Sequence, residues 1–303
     1  MKKEMCVKAI TMDTTCVECY KILGETAFNE KNYSLSAGYF KRLMDINGYD
    51  ENIALQLGKS YKYTNQNQKA RDVFKKILNK NPERHDVRYN LVNIAIKLEQ
   101  PNQARELFAA ANTERTVWHH LSAAEIYEIE GDIQMAHIRF SAALKLLPDC
   151  PEALAGIGRL YLKKGDFDSS AIYLGKALAR DPYNPHLMLN MAKAYEGLKQ
   201  HKSASEIYEE VSNKYPRIIK TYRLHAELAM KNNNQEKAVD ILWKGIENNP
   251  KNPEIMMSLG NIYKEIKEYD KAINSYKEAL KADKEKYAEA NTYIAEILKE
   301  MEK

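Results

Sequence analysis

The sequence is poor in the features that interrupt helices, cross-link chains or anchor them in membranes. It has 12 glycines and 9 prolines among 303 residues, so long helices fit it better than a turn-rich sheet. Its 4 cysteines are too few to require a disulfide framework, and we expect a reducing, cytoplasmic compartment. It lacks an apolar run of about 18 residues, so we expect no membrane span, and no apolar segment near Met1 indicates a secretory signal.

The charges of the chain are nearly balanced. Lys and Arg number 46 and Asp and Glu number 42, which gives a net charge of +4. So small an excess, with both signs interspersed, does not indicate a dedicated nucleic-acid binder. Hydrophobic residues make up 44% of the sequence, which is enough for a sizeable core.

A repeat of 34 residues organises the chain. In most copies a small residue precedes an aromatic residue by three positions, a second small and a second bulky residue follow, and proline comes near the end. One copy contains Gly58, Tyr61, Ala70, Phe74 and Pro82. Eight copies begin at Val17, Glu51, His85, Val117, Pro151, Pro185, Ile219 and Pro253, and the third copy is two residues short.

Each repeat predicts two antiparallel helices. The small residues at positions 8 and 20 let the helices approach closely, and the aromatic residues at positions 11 and 24 fill the space between hairpins. Proline at position 32 ends the second helix, and Gly131 and Gly165 mark the turn between the helices in two repeats. The pattern predicts an all-α protein, a right-handed α-solenoid of helix-turn-helix hairpins.

This set of residues resembles the tetratricopeptide repeat (TPR) family over residues 17–286. The departures are Val92 at a small position, the missing proline near Thr116, and Lys284 in place of the last proline. The resemblance implies first helices that line a concave groove. We interpret residues 1–16 as a half-repeat, either an N-terminal cap or part of a longer repeat protein, and residues 287–303 as a capping helix.

Cations on three consecutive first helices form the first candidate binding surface. Positions 2, 5, 6 and 9 of a first helix share its groove face. In chaperone-binding TPR proteins a Lys/Asn/Arg set on such helices clamps a C-terminal carboxylate. Asn190 and Lys220 match that set, but Ala155, Arg159 and Leu224 do not, so we expect a looser site for an acidic peptide. The alternative is a solvated basic face near Glu196 and Glu227. The predicted residues are Arg159, Lys163, Asn190, Lys193, Lys220 and Arg223.

A second candidate surface lies on the second and third repeats. Asn side chains there can hydrogen-bond an extended peptide, and Tyr offers a rigid contact. The alternative is that Tyr63 and Tyr89 pack between hairpins. The predicted residues are Lys59, Tyr63, Asn90 and Asn93.

The sequence contains no catalytic motif, and we predict neither an enzyme nor a cofactor or metal site. Cys16 and Cys19 form a C-x-x-C without further ligands nearby, and we interpret them as ordinary residues at the start of a helix. His119 and His120 are adjacent in a helix and therefore point about 100° apart, which excludes a shared metal site.

The leading hypothesis is a protein-protein interaction scaffold or adaptor that binds a peptide or partner subunit in its groove. The first alternative is the substrate-recognition arm of a larger enzyme such as a glycosyltransferase. The second is an RNA-binding helical repeat, against which acidic groove residues such as Glu125 and Glu227 argue. Self-association is a further alternative.

Overall fold

The computed structural model describes residues 2–110, 116–250 and 252–302. All regular structure in these residues is α-helical, as the repeat pattern predicts. The helices are α1 (Lys2–Met12), α2 (Val17–Asn29), α3 (Tyr33–Asn47), α4 (Glu51–Tyr63), α5 (Asn67–Lys80), α6 (His85–Lys97), α7 (Pro101–Ala109), α8 (Val117–Glu130), α9 (Ile133–Leu146), α10 (Pro151–Lys164), α11 (Phe167–Arg180), α12 (Pro185–Gly197), α13 (His201–Lys214), α14 (Ile219–Lys231), α15 (Gln235–Asn248), α16 (Pro253–Glu265), α17 (Tyr269–Ala282) and α18 (Glu289–Met301).

The helices belong to two bodies, residues 1–160 and 161–303, with the boundary inside α10. In the N-terminal body α2 packs on α3, α4 on α5, α6 on α7 and α8 on α9. In the C-terminal body α12 packs on α13, α14 on α15, and α16 on α17. The even-numbered helices from α2 to α16 begin where the sequence places the repeat starts, and we call them first helices and their partners second helices. The interpretation of α1 as a half-repeat and of α18 as a cap stays a prediction.

A glycine under an aromatic ring brings the two helices of a hairpin together. The ring comes from position 24 of the repeat, on the second helix, and its side chain is fully buried. A Cβ atom added to Gly58 would lie only 2.4 Å from Phe74 Cε1, so no larger residue fits there without movement. From the sequence we expect these rings to lie between hairpins. Instead, each ring lies within its own hairpin, in the space left by the missing Cβ of the glycine. The pairs are Gly24 with Phe40, Gly58 with Phe74, and Gly260 with Tyr276.

The turn between the two helices has the same backbone geometry in every repeat. Its residue at position 15 is left-handed, with φ between +57° and +82°. In the second repeat the next amide, Gln66 N, donates to Tyr61 O and closes the end of α4. The sequence marks only two of these turns, because glycine fills only two of them. The residues are Lys31, Asn65, Glu99, Gly131, Gly165, Lys199, Asn233 and Lys267.

The cysteines at the start of α2 are joined in a disulfide, which corrects their interpretation as ordinary helix-entry residues. Cys16 is the N-cap of α2 and Cys19 lies three residues later. Side chains at these two positions share one face of the first turn and reach each other. Cys6 and Cys150 are buried and unbonded. Among the described residues no helix is long and apolar enough to cross a membrane.

We predict that Gly58→Ala lowers the free energy of unfolding by about 1–3 kcal/mol, because the added methyl group collides with the Phe74 ring. Gly38→Ala is the matched control, since Gly38 is exposed within α3 and its Cβ would meet nothing within 4 Å. The control raises the free energy of unfolding by about 0.5–1 kcal/mol through helix propensity. Urea denaturation of both variants measures the difference, and equal effects would contradict the packing role of the glycine.

Candidate functional site

Three cations lie together on the first helices of the C-terminal body. Lys193 is on α12, and Lys220 and Arg223 are one turn apart on α14. We call them the cationic triad. Arg223 approaches carboxylate oxygens of Glu227 and Glu254 only at 3.8 and 3.9 Å. Within the described ranges, neither lysine has a carboxylate at ion-pair distance.

The positive charges of the triad act on one another. The pKa of Lys220 is lowered by partial desolvation and by the positive charges of Lys193 and Arg223, with Glu254 opposing the change. A lowered pKa means that these surroundings destabilise the protonated ammonium of Lys220. An anionic group bound at the triad would remove that repulsion.

The carboxylate of Glu196, which could neutralise this face, already has other partners. Glu196 lies one turn after Lys193 on α12, but its Oε1 accepts a hydrogen bond from Tyr208 and its Oε2 pairs with Lys231 Nζ at 3.1 Å. The alternative of a solvated basic face stays open, because Glu196 is engaged elsewhere but Glu227 lies 3.8 Å from Arg223. Asn190 lies half-buried one turn before Lys193, and Lys163 is exposed in the last turn of α10.

Arg159 does not join the triad, because it belongs to an ion cluster of the N-terminal body. Its Nη2 lies 2.8 Å from Glu128 Oε2 and 3.1 Å from Glu125 Oε1. Burial opposes the charge, yet the pKa of Arg159 rises because the two carboxylates stabilise it. The Glu128 side chain is only 8% exposed, so its charge depends on the guanidinium. A peptide-binding role for Arg159 stays a prediction, and it competes with this cluster.

The amides of the second predicted surface are held by their own neighbours. Asn90 is buried, accepts a hydrogen bond from Lys62 Nζ at 2.6 Å, and donates to Asp86 O at 2.8 Å. Asn93 donates to Tyr89 O at 3.1 Å. Burial and the charge of Lys97 lower the pKa of Lys62 to about 8.

The aromatic residues of the second surface pack on neighbouring helices. Tyr63 stacks on Tyr33 with ring centroids 4.4 Å apart, and Tyr89 is buried and tilted against Trp118 at 5.4 Å. These contacts match the packing alternative for Tyr89, whereas Tyr63 makes a ring contact but stays 43% exposed. Lys59 lies half-buried on α4. The role of this surface in peptide binding stays a prediction.

A cavity in the C-terminal body was missed by sequence reasoning. It has a volume of about 340 Å³ and lies where α13 meets α14 and the turn to α15. Ser205 Oγ and His225 Nε2 are 2.8 Å apart, and Lys237 Nζ donates to the same hydroxyl at 3.2 Å. Burial, helped by the charges of Lys237 and Lys244, lowers the pKa of His225 to about 4. The sequence offered one signal for this site, a histidine at position 7 of a first helix. The repeat pattern assigns that position to the core.

The described residues bring no three His, Cys, Asp or Glu side chains together in a way that could hold a metal ion.

With its hairpins and the triad on its first helices, the chain is an all-α helical-repeat protein with a charged face. Three sequence models, each described as tetratricopeptide repeat, match residues 62–124 and 171–228, residues 123–185, and residues 253–286. Together they cover more than half of the sequence, and the chain belongs to the tetratricopeptide repeat family.

Solved structures confirm the predicted solenoid fold. The crystal structure of the APC/C hetero-tetramer Cut9–Hcn1 matches 96% of this chain and 57% of that chain, with a TM-score of 0.67 and 14% identity. Yeast Tom70 matches over 90% of this chain and 60% of that chain, with a TM-score of 0.55 and 17% identity. At such identities the likeness concerns the fold alone.

Known sequence relatives are much longer than the matched region. Human protein O-mannosyl-transferase TMTC1 is 27% identical over 169 residues, which are 54% of this chain and 19% of that protein. Bovine BBSome complex member BBS4 is 24% identical over 164 residues, 54% of this chain and 31% of that protein. The chain therefore spans less than a third of these relatives.

We predict that His225 makes the fold sensitive to acid. The folded side chain stays neutral down to a pKa of about 4, whereas its ordinary value is 6.5, so the unfolded chain takes up the proton first as the pH falls. The contribution of His225 to the free energy of unfolding therefore decreases by about 2 kcal/mol from pH 7 to pH 5. Urea denaturation at both pH values measures it. His225→Asn should lack this part of the pH dependence, and an unchanged slope would contradict the prediction.

We also predict that Arg159→Ala lowers the free energy of unfolding by about 2–4 kcal/mol, because it removes the ion pair between the guanidinium and the buried Glu128 carboxylate. The control combines Arg159→Met with Glu125→Gln and Glu128→Gln, which removes all three charges and should recover at least half of the loss. Chemical denaturation of the two variants tests this. A loss below about 0.5 kcal/mol for Arg159→Ala would show that the cluster is not structural.

Proposed function

We propose that this chain is a protein-interaction scaffold that binds an acidic segment of a partner protein at the cationic triad, in a groove lined by first helices. The observation that carries the proposal is the charge of Lys193 and Lys220, which is unpaired in the part of the chain that the structure describes. Unpaired like charges held together favour a ligand that brings the opposite charge.

The spacing of the triad favours an extended peptide. Lys220 and Arg223 are neighbours on one helical face, about 5–6 Å apart at Cβ. An extended chain presents residues i and i+2 on the same side, about 7 Å apart. Two acidic side chains in that register can therefore each reach one cation of α14, and a third can reach Lys193 on α12. The half-buried Asn190 amide can hydrogen-bond the peptide backbone between them.

The test is direct binding of a fluorescent peptide with alternating Asp or Glu residues, measured by anisotropy at low and physiological salt. The triple variant Lys193→Glu, Lys220→Glu and Arg223→Glu should bind at least about tenfold more weakly. A peptide with Asn and Gln at the acidic positions should bind weakly to both proteins. Unchanged affinity of the triple variant for the acidic peptide would contradict the proposal.

The matched control changes three exposed lysines on second helices of the same body, Lys176→Glu, Lys202→Glu and Lys277→Glu. It alters the net charge by the same amount but leaves the triad intact, so it should retain most of the affinity. An equal loss of affinity in both triple variants would show that binding depends on net charge and not on the triad. Single-stranded RNA is added as a competitor, and stronger binding of RNA than of peptide would favour the RNA-binding alternative instead.

A second candidate function is the substrate-recognition arm of a larger enzyme. The similarity to human protein O-mannosyl-transferase TMTC1 over 54% of this chain favours it. In that case the same triad would hold the acceptor protein of a transferase. The length of the parent transcript separates the two functions, because an enzyme arm requires a catalytic domain in the same reading frame.

A further inference from the structure

The N-terminal body contains a disulfide that closes a single helical turn. Cys16 precedes α2 as its N-cap and Cys19 is the third residue of the helix. Both cysteines are partly exposed, whereas the unbonded Cys6 and Cys150 are buried. Solvent therefore reaches the bonded pair and is kept from the two other thiols.

This disulfide does not serve as a structural staple. The stabilisation that a disulfide gives through chain entropy grows with the length of the loop it closes, and here the sequence separation is three. α2 is held to α3 by an apolar core that includes Leu23, Ala27 and Phe40, all at most 1% exposed. Opening the bond would leave this packing in place, so the redox state can change in the folded protein.

The start of α2 favours a thiolate at Cys16. Cys16 is the N-cap residue of α2, and no side chain accepts a hydrogen bond from the first amides of the helix. These amides and the helix dipole stabilise a negative charge there, and a helix N-terminus is a setting in which cysteine is acidic. The exposed carboxylate of Glu18, between the two cysteines, offsets part of this field.

A zinc site does not fit the same residues. Zinc requires about four ligands, and within the described residues no third His, Cys, Asp or Glu joins the pair. Two accessible sulfurs in a C-x-x-C without further donors suit thiol–disulfide chemistry.

We propose that Cys16 and Cys19 form a thiol–disulfide exchange site whose substrates are low-molecular-weight thiols such as glutathione. A thiolate attacks Cys19 Sγ, the bond between the two cysteines breaks, and Cys16 leaves as the stabilised thiolate. A second thiolate attacks the glutathione sulfur of this mixed disulfide. Glutathione disulfide forms, and Cys19 leaves as a thiolate that takes a proton from water. Two electrons pass from two thiols to the protein, and the reverse sequence restores the disulfide.

The first experiment equilibrates the full chain with defined ratios of reduced to oxidised glutathione at pH 7, followed by acid quenching, alkylation and peptide mass spectrometry. The pair should convert from disulfide to dithiol around one midpoint, while Cys6 and Cys150 stay unmodified and the circular dichroism stays constant. A pair that remains in one state at every ratio would overturn the proposal, as would loss of helix on reduction.

The second experiment compares Cys19→Ser, which leaves Cys16 alone, with Cys16→Ser, which leaves Cys19 alone. Alkylation by iodoacetamide at pH 7 should be about three to ten times faster for Cys16 than for Cys19. The midpoint of its rate against pH should lie below the ordinary cysteine value of about 8.5. Circular dichroism confirms that both variants are folded, and equal rates and midpoints would remove the assigned role of the helix start.

Discussion

In the hairpins of Gly24, Gly58 and Gly260, the contact between a second-helix ring and the first-helix glycine sets the distance between the two helices. At Gly58 the approach leaves no room even for a methyl group, and the Phe74 ring fills the space completely. Ser36 adds a polar contact of the same kind, since its hydroxyl donates to Gly24 O at 3.0 Å. Once this distance is fixed, the repeat determines which face of each first helix is buried and which is left for other uses.

What occupies the open faces differs between the two bodies. In the N-terminal body polar groups of consecutive first helices bind one another, as Lys62 does with Asn90 and Arg159 with Glu125. In the C-terminal body Lys231 engages Glu196 in the same way, but this contact removes the carboxylate that Lys193 would otherwise use. The same inter-repeat pairing therefore builds the ion cluster of Arg159 in one body and draws Glu196 away from Lys193 in the other.

The sequence predicts the repeat period and the helix starts because both depend on small, aromatic and proline residues at fixed positions. It does not predict the partner of Arg159, because Glu125 and Glu128 are 34 and 31 residues away and meet it only once the helices are stacked. The burial of His225 could be predicted from its position in the repeat. Its hydrogen bond to Ser205 could not, because Ser205 lies on the second helix of the preceding repeat. The bond between Cys16 and Cys19 was within reach of sequence spacing, but spacing alone does not distinguish bonded from free cysteines.

The left-handed residue at position 15 restricts where the chain can change length. One extra residue before or after it would rotate the second helix by about 100° and turn its buried ring toward solvent. All eight repeats keep this turn at the same position, including the short third repeat, whose Glu99, Ala104 and Phe108 remain in register. The two missing residues of that repeat fall between Phe108 and the start of the next repeat at Val117. Insertions and deletions in this chain are thus tolerated at the joints between repeats and excluded from the turns within them.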